Sequence, residues 1–215
     1  MAGRQGAQSE RARAGLPPRR SGDGRGQTAP VPPGQTRTRG AGGVKRLSDW
    51  DAALSRRLAL SPEHPRWQLA ARVAHLGDGN LVFALLAAMY AAGWLFDRPR
   101  WRAVVVAVLA SLLASFLVVV AIKYTLRRQR PRDPTGFISI RFDKYSFPSG
   151  HSARMGTLAV AVLFFHPPLG WLLVALALLV GAARVFIGIH YPGDVLAGLV
   201  IGGTAAVLVR IALGG

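Results

Sequence analysis

The chain of 215 residues contains no cysteine, which excludes disulfides and thiolate catalysis and leaves the redox state of its compartment unreadable. Acidic residues are scarce: 10 Asp and Glu stand against 27 Lys and Arg, a formal net charge of +17. Aromatics are few and do not interleave with the basic residues, so no nucleic acid is expected as a partner. The first 46 residues lack the apolar core of a secretory signal and do not read as one. Against these shortages, 51% of the chain is hydrophobic and the mean hydropathy is +0.28. One soluble globule does not reconcile that hydrophobicity with so large a charge. Apolar membrane spans with basic flanks do.

Residues 1–46 are rich in Gly, Pro, Arg, Gln and Ser, and hold ten Lys/Arg against Glu10 and Asp23. Such a segment buries too little surface to offset its ordering entropy, and the composition predicts a disordered basic tail. It is a solvated tail, a polybasic contact with anionic membrane headgroups, or an Arg-rich transit peptide. Residues 47–79 differ. Trp50, Ala53, Leu54 and Leu58 recur at helical spacing, Pro62 and Pro65 interrupt, and Trp67, Leu69, Ala70, Val73 and Leu76 resume the pattern. Their interspersed charges predict amphipathic helices lying in the membrane interface, with Trp as anchors.

Residues 80–215 carry apolar runs at 80–96, 103–122, 152–166, 169–188 and 193–213. A span takes about 20 residues and at least about 17. The expected fold is therefore all-α, a multi-pass membrane bundle of about five transmembrane helices. The run at 152–166 is short and opens with Arg154, but the topology closes only if it crosses. The N-terminal charges then share a face with the loop 124–150, and charge bias makes that face cytoplasmic. Arg98, Arg100 and Arg102 on the opposite side argue the other way.

Three stretches place charge beside these runs, where it is costly in lipid. They are Lys123-x6-Arg130-Pro131, Pro148-Ser149-Gly150-His151 and Arg184-x5-His190-x3-Asp194. Each has a plain structural account: a basic cluster holding headgroups, a helix N-cap at Ser149, and a carboxylate favoured at a helix N-terminus after Pro192. Lys123 and Arg130 share a helix face if the helix runs on for two turns. Following the five runs, however, brings all three stretches to one membrane face. There they assemble three cations, two imidazoles and one carboxylate, a set suited to a phosphoryl group. The helix N-terminus at Gly150 offers free N–H groups to an anion. Asp194 can hold His190 in one tautomer and raise its basicity, which suits a nucleophile or base. Only Asp133, Asp143 and Asp194 are expected near this face, which does not suit a Mg²⁺ cage, so no metal or other cofactor is expected.

At these residues the sequence resembles the type 2 phosphatidic acid phosphatase superfamily of integral-membrane lipid phosphate phosphatases. That family's pattern is Lys-x6-Arg-Pro, Pro-Ser-Gly-His and Ser-Arg-x5-His-x3-Asp, and the resemblance covers about residues 80–213. It implies dephosphorylation of a lipid phosphate through a phosphohistidine. His190 would be the nucleophile, Asp194 its orienting partner and His151 the general acid. Lys123, Arg130, Arg184, Ser149 and the Gly150 amide would hold the phosphoryl oxygens. Ala183 stands where the family has Ser, removing one hydroxyl. Asp143-Lys144-Tyr145-Ser146-Phe147 and Arg154, with Ser55-Arg56-Arg57-Leu58 upstream, are similar to the branch acting on polyisoprenoid diphosphates. Lys144 and Arg154 would then meet a second phosphate or the headgroup. The competing reading is a catalytically inactive scaffold or lipid-binding member of the same family.

Overall fold

A computed structural model describes residues 39–132 and 143–214, and all seven elements among them are helices. They are α1 (Arg39–Leu58), α2 (Pro65–His75), α3 (Gly79–Leu95), α4 (Pro99–Leu126), α5 (Gly150–Leu163), α6 (Pro167–Phe186) and α7 (Pro192–Ala212). The expected disordered tail lies outside the described residues as far as residue 38. Its last part is helical instead, because α1 begins at Arg39 rather than 47. Once a helix is nucleated, each added residue brings a hydrogen bond at little further cost.

Proline sets four of the starts. Pro65, Pro99, Pro167 and Pro192 each occupy the first turn of their helix, where a missing N–H costs nothing and φ is already helical. The caps vary: the imidazole Nδ1 of His64 accepts from the Arg66 N–H and that of His166 from the Leu169 N–H.

Among the described residues three helices are long and apolar enough to cross a membrane: α4 with 28 residues, α6 with 20 and α7 with 21. A fourth crossing exists if α2 and α3, bent by 41° at their junction, act as one broken span. The run at 152–166 is not among these by length. It forms α5, of 14 residues, roughly 21 Å long at 1.5 Å per residue and short of the ~30 Å hydrocarbon core. Rather than facing lipid, α5 is the packed centre of the bundle, with α4, α6 and α7 against it. Met155 and Thr157 on it are fully buried and join Val105, Val108 and Val180 in the interior. The outward faces of α4, α6 and α7 expose Leu113, Phe116, Trp171, Leu172, Leu196 and Leu208, an apolar exterior of the kind lipid solvates.

Close approach of α5 and α7 depends on missing side chains. A Cβ at Gly198 would lie 2.5 Å from the Ser149 carbonyl oxygen, and one at Gly202 would collide with the Ala153 carbonyl. Small residues let helix backbones meet in this way. The seam sets the two helix N-termini side by side, joined by a hydrogen bond of 2.9 Å from the Ser149 N–H to the Asp194 carbonyl.

Candidate active site

The cations come first. Helix α4 ends at Leu126, with Arg127 in the left-handed region at φ 49° and its N–H bonded to the Lys123 carbonyl. The helix therefore does not run on to Arg130, and Lys123 and Arg130 do not share a helical face. A turn brings them together instead. The returning segment pins that turn: the Ser146 N–H donates to the Arg128 carbonyl and its hydroxyl to the Gln129 carbonyl. Lys123 Nζ then reaches the Tyr145 carbonyl at 2.6 Å and Asp143 Oδ1 at 2.9 Å. Arg130 Nη2 reaches Asp143 Oδ2 at 2.9 Å and the Asp143 carbonyl at 2.6 Å. One carboxylate thus sits between two buried cations. Burial works to raise the Asp143 pKa, but Lys123 and Arg130 prevail and hold it well below the usual carboxylate range.

His190 lies beside this pair, fully buried in the link between α6 and α7. Its Nε2 is 3.2 Å from Arg130 Nη1. A guanidinium cannot accept, so Nε2 accepts and the ring proton belongs on Nδ1. That nitrogen faces Asp194 Oδ2 at 3.5 Å, an ion-pair distance without a hydrogen bond. Burial pushes the His190 pKa well below its ordinary value, and Arg184 and Arg130 push it further. Both the shift and the Arg130 donor at Nε2 favour the neutral imidazole.

Asp194 has stronger partners than the histidine. Oδ2 accepts from the Tyr191 N–H at 2.9 Å, and Oδ1 from Arg128 Nη1 at 2.7 Å. Arg128 also donates Nη2 to Asp51 Oδ2 at 2.7 Å and lies 3.8 Å from the Tyr191 ring centroid. The other Asp51 oxygen accepts the Gly193 N–H at 2.8 Å. Helix α1 is thereby tied to the first turn of α7. The sequence reading missed both Arg128 and Asp51. Arg128 lies unweighed between Lys123 and Arg130, and Asp51 was not set apart from the other charges interspersed along residues 47–79. The one available signal was the Asp51–Ser55 spacing of four, which puts two polar groups on one helix face; both are buried.

His151 opens α5, and its Nε2 is 2.7 Å from Asp78 Oδ1. Asp78, also missed, precedes α3, and its Oδ2 meets His75 Nδ1 at 2.8 Å. Those two imidazoles, His151 first, draw the Asp78 pKa far below the usual range against the opposing effect of burial. The expected carboxylate set at this face is thus too small: Asp51 and Asp78 join Asp143 and Asp194, while Asp133 lies outside the described residues. Each of the four is bound to a cation or an imidazole.

Ser149 is buried and caps α5, its hydroxyl accepting from the Ser152 N–H at 3.4 Å. A Cβ at Gly150 would touch nothing within 4 Å, so open space faces this helix start. Arg184 is buried to 1% exposure, and its Nε, like that of Arg130, has no hydrogen-bond partner. Arg154 donates Nη1 to the Gly77 carbonyl at 2.6 Å, and exposed Lys144 lies 5.9 Å from the Tyr145 ring centroid. Ala183 is buried in an apolar seam with Ala70, Ala71 and Ala74 of α2 and with Ile187 and Ile189. The serine-to-alanine departure is absorbed as packing.

The PAP2 superfamily model matches residues 103–214. A decaprenylphosphoryl-5-phosphoribose phosphatase from Mycobacterium tuberculosis is 32% identical over 149 residues, covering 66% of this chain and 78% of that protein. An undecaprenyl-diphosphatase from Sulfolobus acidocaldarius is 35% identical over 100 residues, 43% of this chain and 48% of that protein; the match thus spans about half of that relative's length. Among solved structures, a transmembrane PAP2-type phosphatidylglycerolphosphate phosphatase from Bacillus subtilis aligns with a TM-score of 0.65 and 24% identity. That alignment covers 81% of this chain and 90% of the other, and shows a shared fold.

Proposed function

The chain belongs to the PAP2 superfamily, and we propose that it hydrolyses a lipid phosphate, foremost a polyisoprenoid diphosphate, through a phosphohistidine on His190. The observation that carries this reading is the cradle in which Lys123 and Arg130 close on a carboxylate beside His190 Nε2. A phosphoryl group offers the same paired oxygens. It would also supply the acceptor that the buried Arg184 Nε and Arg130 Nε lack.

In this reading a phosphoryl oxygen draws the Arg130 guanidinium away from Nε2, freeing its lone pair. Nε2 bonds to phosphorus as the bond to the leaving oxygen breaks, and His151 gives that oxygen a proton. Water then attacks the phosphohistidine, passes a proton to His151 and releases inorganic phosphate. Lys123, Arg130, Arg184, Ser149 and the Gly150 amide hold the equatorial oxygens, where phosphoryl transfer needs fixed positive charge. Asp194 keeps the proton on Nδ1. The polyisoprenoid preference rests on the two relatives whose names carry undecaprenyl and decaprenyl groups. Lys144 and Arg154 are the contacts for a second phosphate.

The test is phosphate release from farnesyl diphosphate by the purified chain in EDTA. Wild type releases phosphate and His190→Ala does not; undiminished release by the variant sinks the mechanism. The site opens to the cytoplasmic face in this reading; Asp51 bonds Gly193 in the first turn of α7 and Leu60 bonds Phe186 at the end of α6, which supports placing the basic N-terminal side on the face of the site. A protease confined to the outer face that removes the N-terminal tail refutes that orientation.

A further inference from the structure

We infer that Asp78 is a positioning residue for His151, fixing the imidazole so that it protonates the departing oxygen. The inference rests on the phosphatase reading above and deepens it, since no motif of the three contains Asp78.

The geometry is specific. Asp78 is the residue before α3, yet its side chain makes no cap hydrogen bond there. Aspartate at that position ordinarily caps the helix. Here both oxygens go to imidazoles instead, Oδ1 to His151 Nε2 at 2.7 Å and Oδ2 to His75 Nδ1 at 2.8 Å. The backbone beside it is also held. Arg154, one turn beyond His151 on α5, donates to the Gly77 carbonyl at 2.6 Å. Gly77 permits the close approach: a Cβ there would lie 2.9 Å from Val180 Cγ1 and 3.5 Å from His151 Cδ2. The link between α2 and α3 is thus clamped against α5 by two residues of α5 itself, His151 and Arg154.

This arrangement settles which ring nitrogen does the work. With Nε2 occupied by Asp78, Nδ1 is the nitrogen left for the leaving group. Burial pushes the His151 pKa down to about 4 and the Asp78 hydrogen bond opposes it; in the imidazolium that Asp78 thus favours, one proton is shared with Asp78 and the other passes from Nδ1 to the oxygen as its bond to phosphorus breaks. The ring ends neutral, still held by the carboxylate. An aspartate in this relation to a histidine sets its orientation and stabilises the cation without taking the proton itself.

A general acid matters most when the leaving oxygen is a poor one, and this makes the role measurable. The probes are farnesyl phosphate, which expels an alkoxide, and p-nitrophenyl phosphate, which expels a stable phenolate. The variants are Asp78→Asn, which keeps the shape and removes the charge, and His151→Ala, each in the full chain in detergent. The quantity compared is kcat/KM, which ends with departure of the leaving group and ignores later hydrolysis of the phosphoenzyme. For Asp78→Asn the loss relative to wild type is expected to be at least about tenfold greater on farnesyl phosphate than on p-nitrophenyl phosphate. His151→Ala shows the same selectivity, more strongly. Equal losses on both substrates in Asp78→Asn, or no loss on either, overturn the inference alone if His151→Ala remains selective. If His151→Ala is itself unselective, the acid role of His151 fails, and the role of Asp78 with it. A wild type that turns over neither probe while hydrolysing farnesyl diphosphate overturns the inference alone, and one that turns over none of the three overturns the phosphatase reading beneath it.

Discussion

Replacing Gly202 by alanine tests whether the seam between α5 and α7 holds the site together. The added Cβ would fall on the Ala153 carbonyl and lie 2.8 Å from the Thr157 backbone nitrogen. Both obstacles are backbone, so no side chain can swing aside. The helices must part by on the order of 1 Å to restore ordinary contact. Overpacking of this kind costs about 1–3 kcal/mol. Alanine repays part of it, because glycine within a helix is worse by about 0.5–1 kcal/mol. The neighbouring Gly203→Ala gains the same helical preference, but its Cβ meets only the Val160 side chain at 3.3 Å. The difference between the two variants therefore isolates the seam and should equal the overpacking cost. Activity should follow stability for a geometric reason. His151 rides on α5, while Asp194 stands in the first turn of α7 and His190 just before it. A shift of about 1 Å between reacting groups costs up to about a hundredfold in rate. The assay is thermal unfolding in detergent alongside kcat/KM on farnesyl diphosphate. Equal melting temperatures for the two variants, or full activity in Gly202→Ala, would refute the reasoning.

Three further outcomes are expected. His190 has a folded-state pKa below its unfolded value of about 6.5, so the unfolded chain takes up a proton that the folded chain refuses. Its contribution to stability is complete above that value and is lost as pH falls; melting temperatures from pH 8 to 5 should drop less for His190→Gln than for wild type, and parallel curves would contradict this. Asp143→Asn removes the anion that occupies the cradle, so inorganic phosphate should inhibit on the order of tenfold more tightly, about 1.4 kcal/mol; weaker inhibition would mean that the carboxylate organises the cradle rather than competing for it. Arg128→Gln leaves two carboxylates without their cation and should destabilise by about 2–4 kcal/mol. Adding Asp51→Asn to it should cost less than the sum of the two changes, and strict additivity would argue against a shared network.

The sequence was most legible where the physics is local. Runs of apolar residues announced the long helices, and Pro192 and Ser149 marked helix starts that the structure contains. Reading went astray where a local rule met a tertiary one. Seven-residue spacing suggested a helical face for Lys123 and Arg130, but α4 stops at Leu126, and a turn held by Ser146 does the work. The run at 152–166 read as one more apolar run, but α5 is enclosed by α4, α6 and α7, which hydropathy alone does not reveal. The partners of the site residues were the least visible. Asp51 is 142 residues from Gly193, and Asp78 is 73 from His151.

Hydropathy and motif spacing by themselves determined that this is an all-helical membrane chain and named the cations, imidazoles and carboxylate that meet at one end of the bundle. Those properties are carried by neighbouring residues, so they survive in one dimension. Only the tertiary structure decided which acid answers which base: Asp194 to Arg128, Asp143 to Lys123 and Arg130, Asp78 to His151. An ion pair depends on a separation of a few ångströms between groups far apart in the chain, and that separation exists only once the helices have packed.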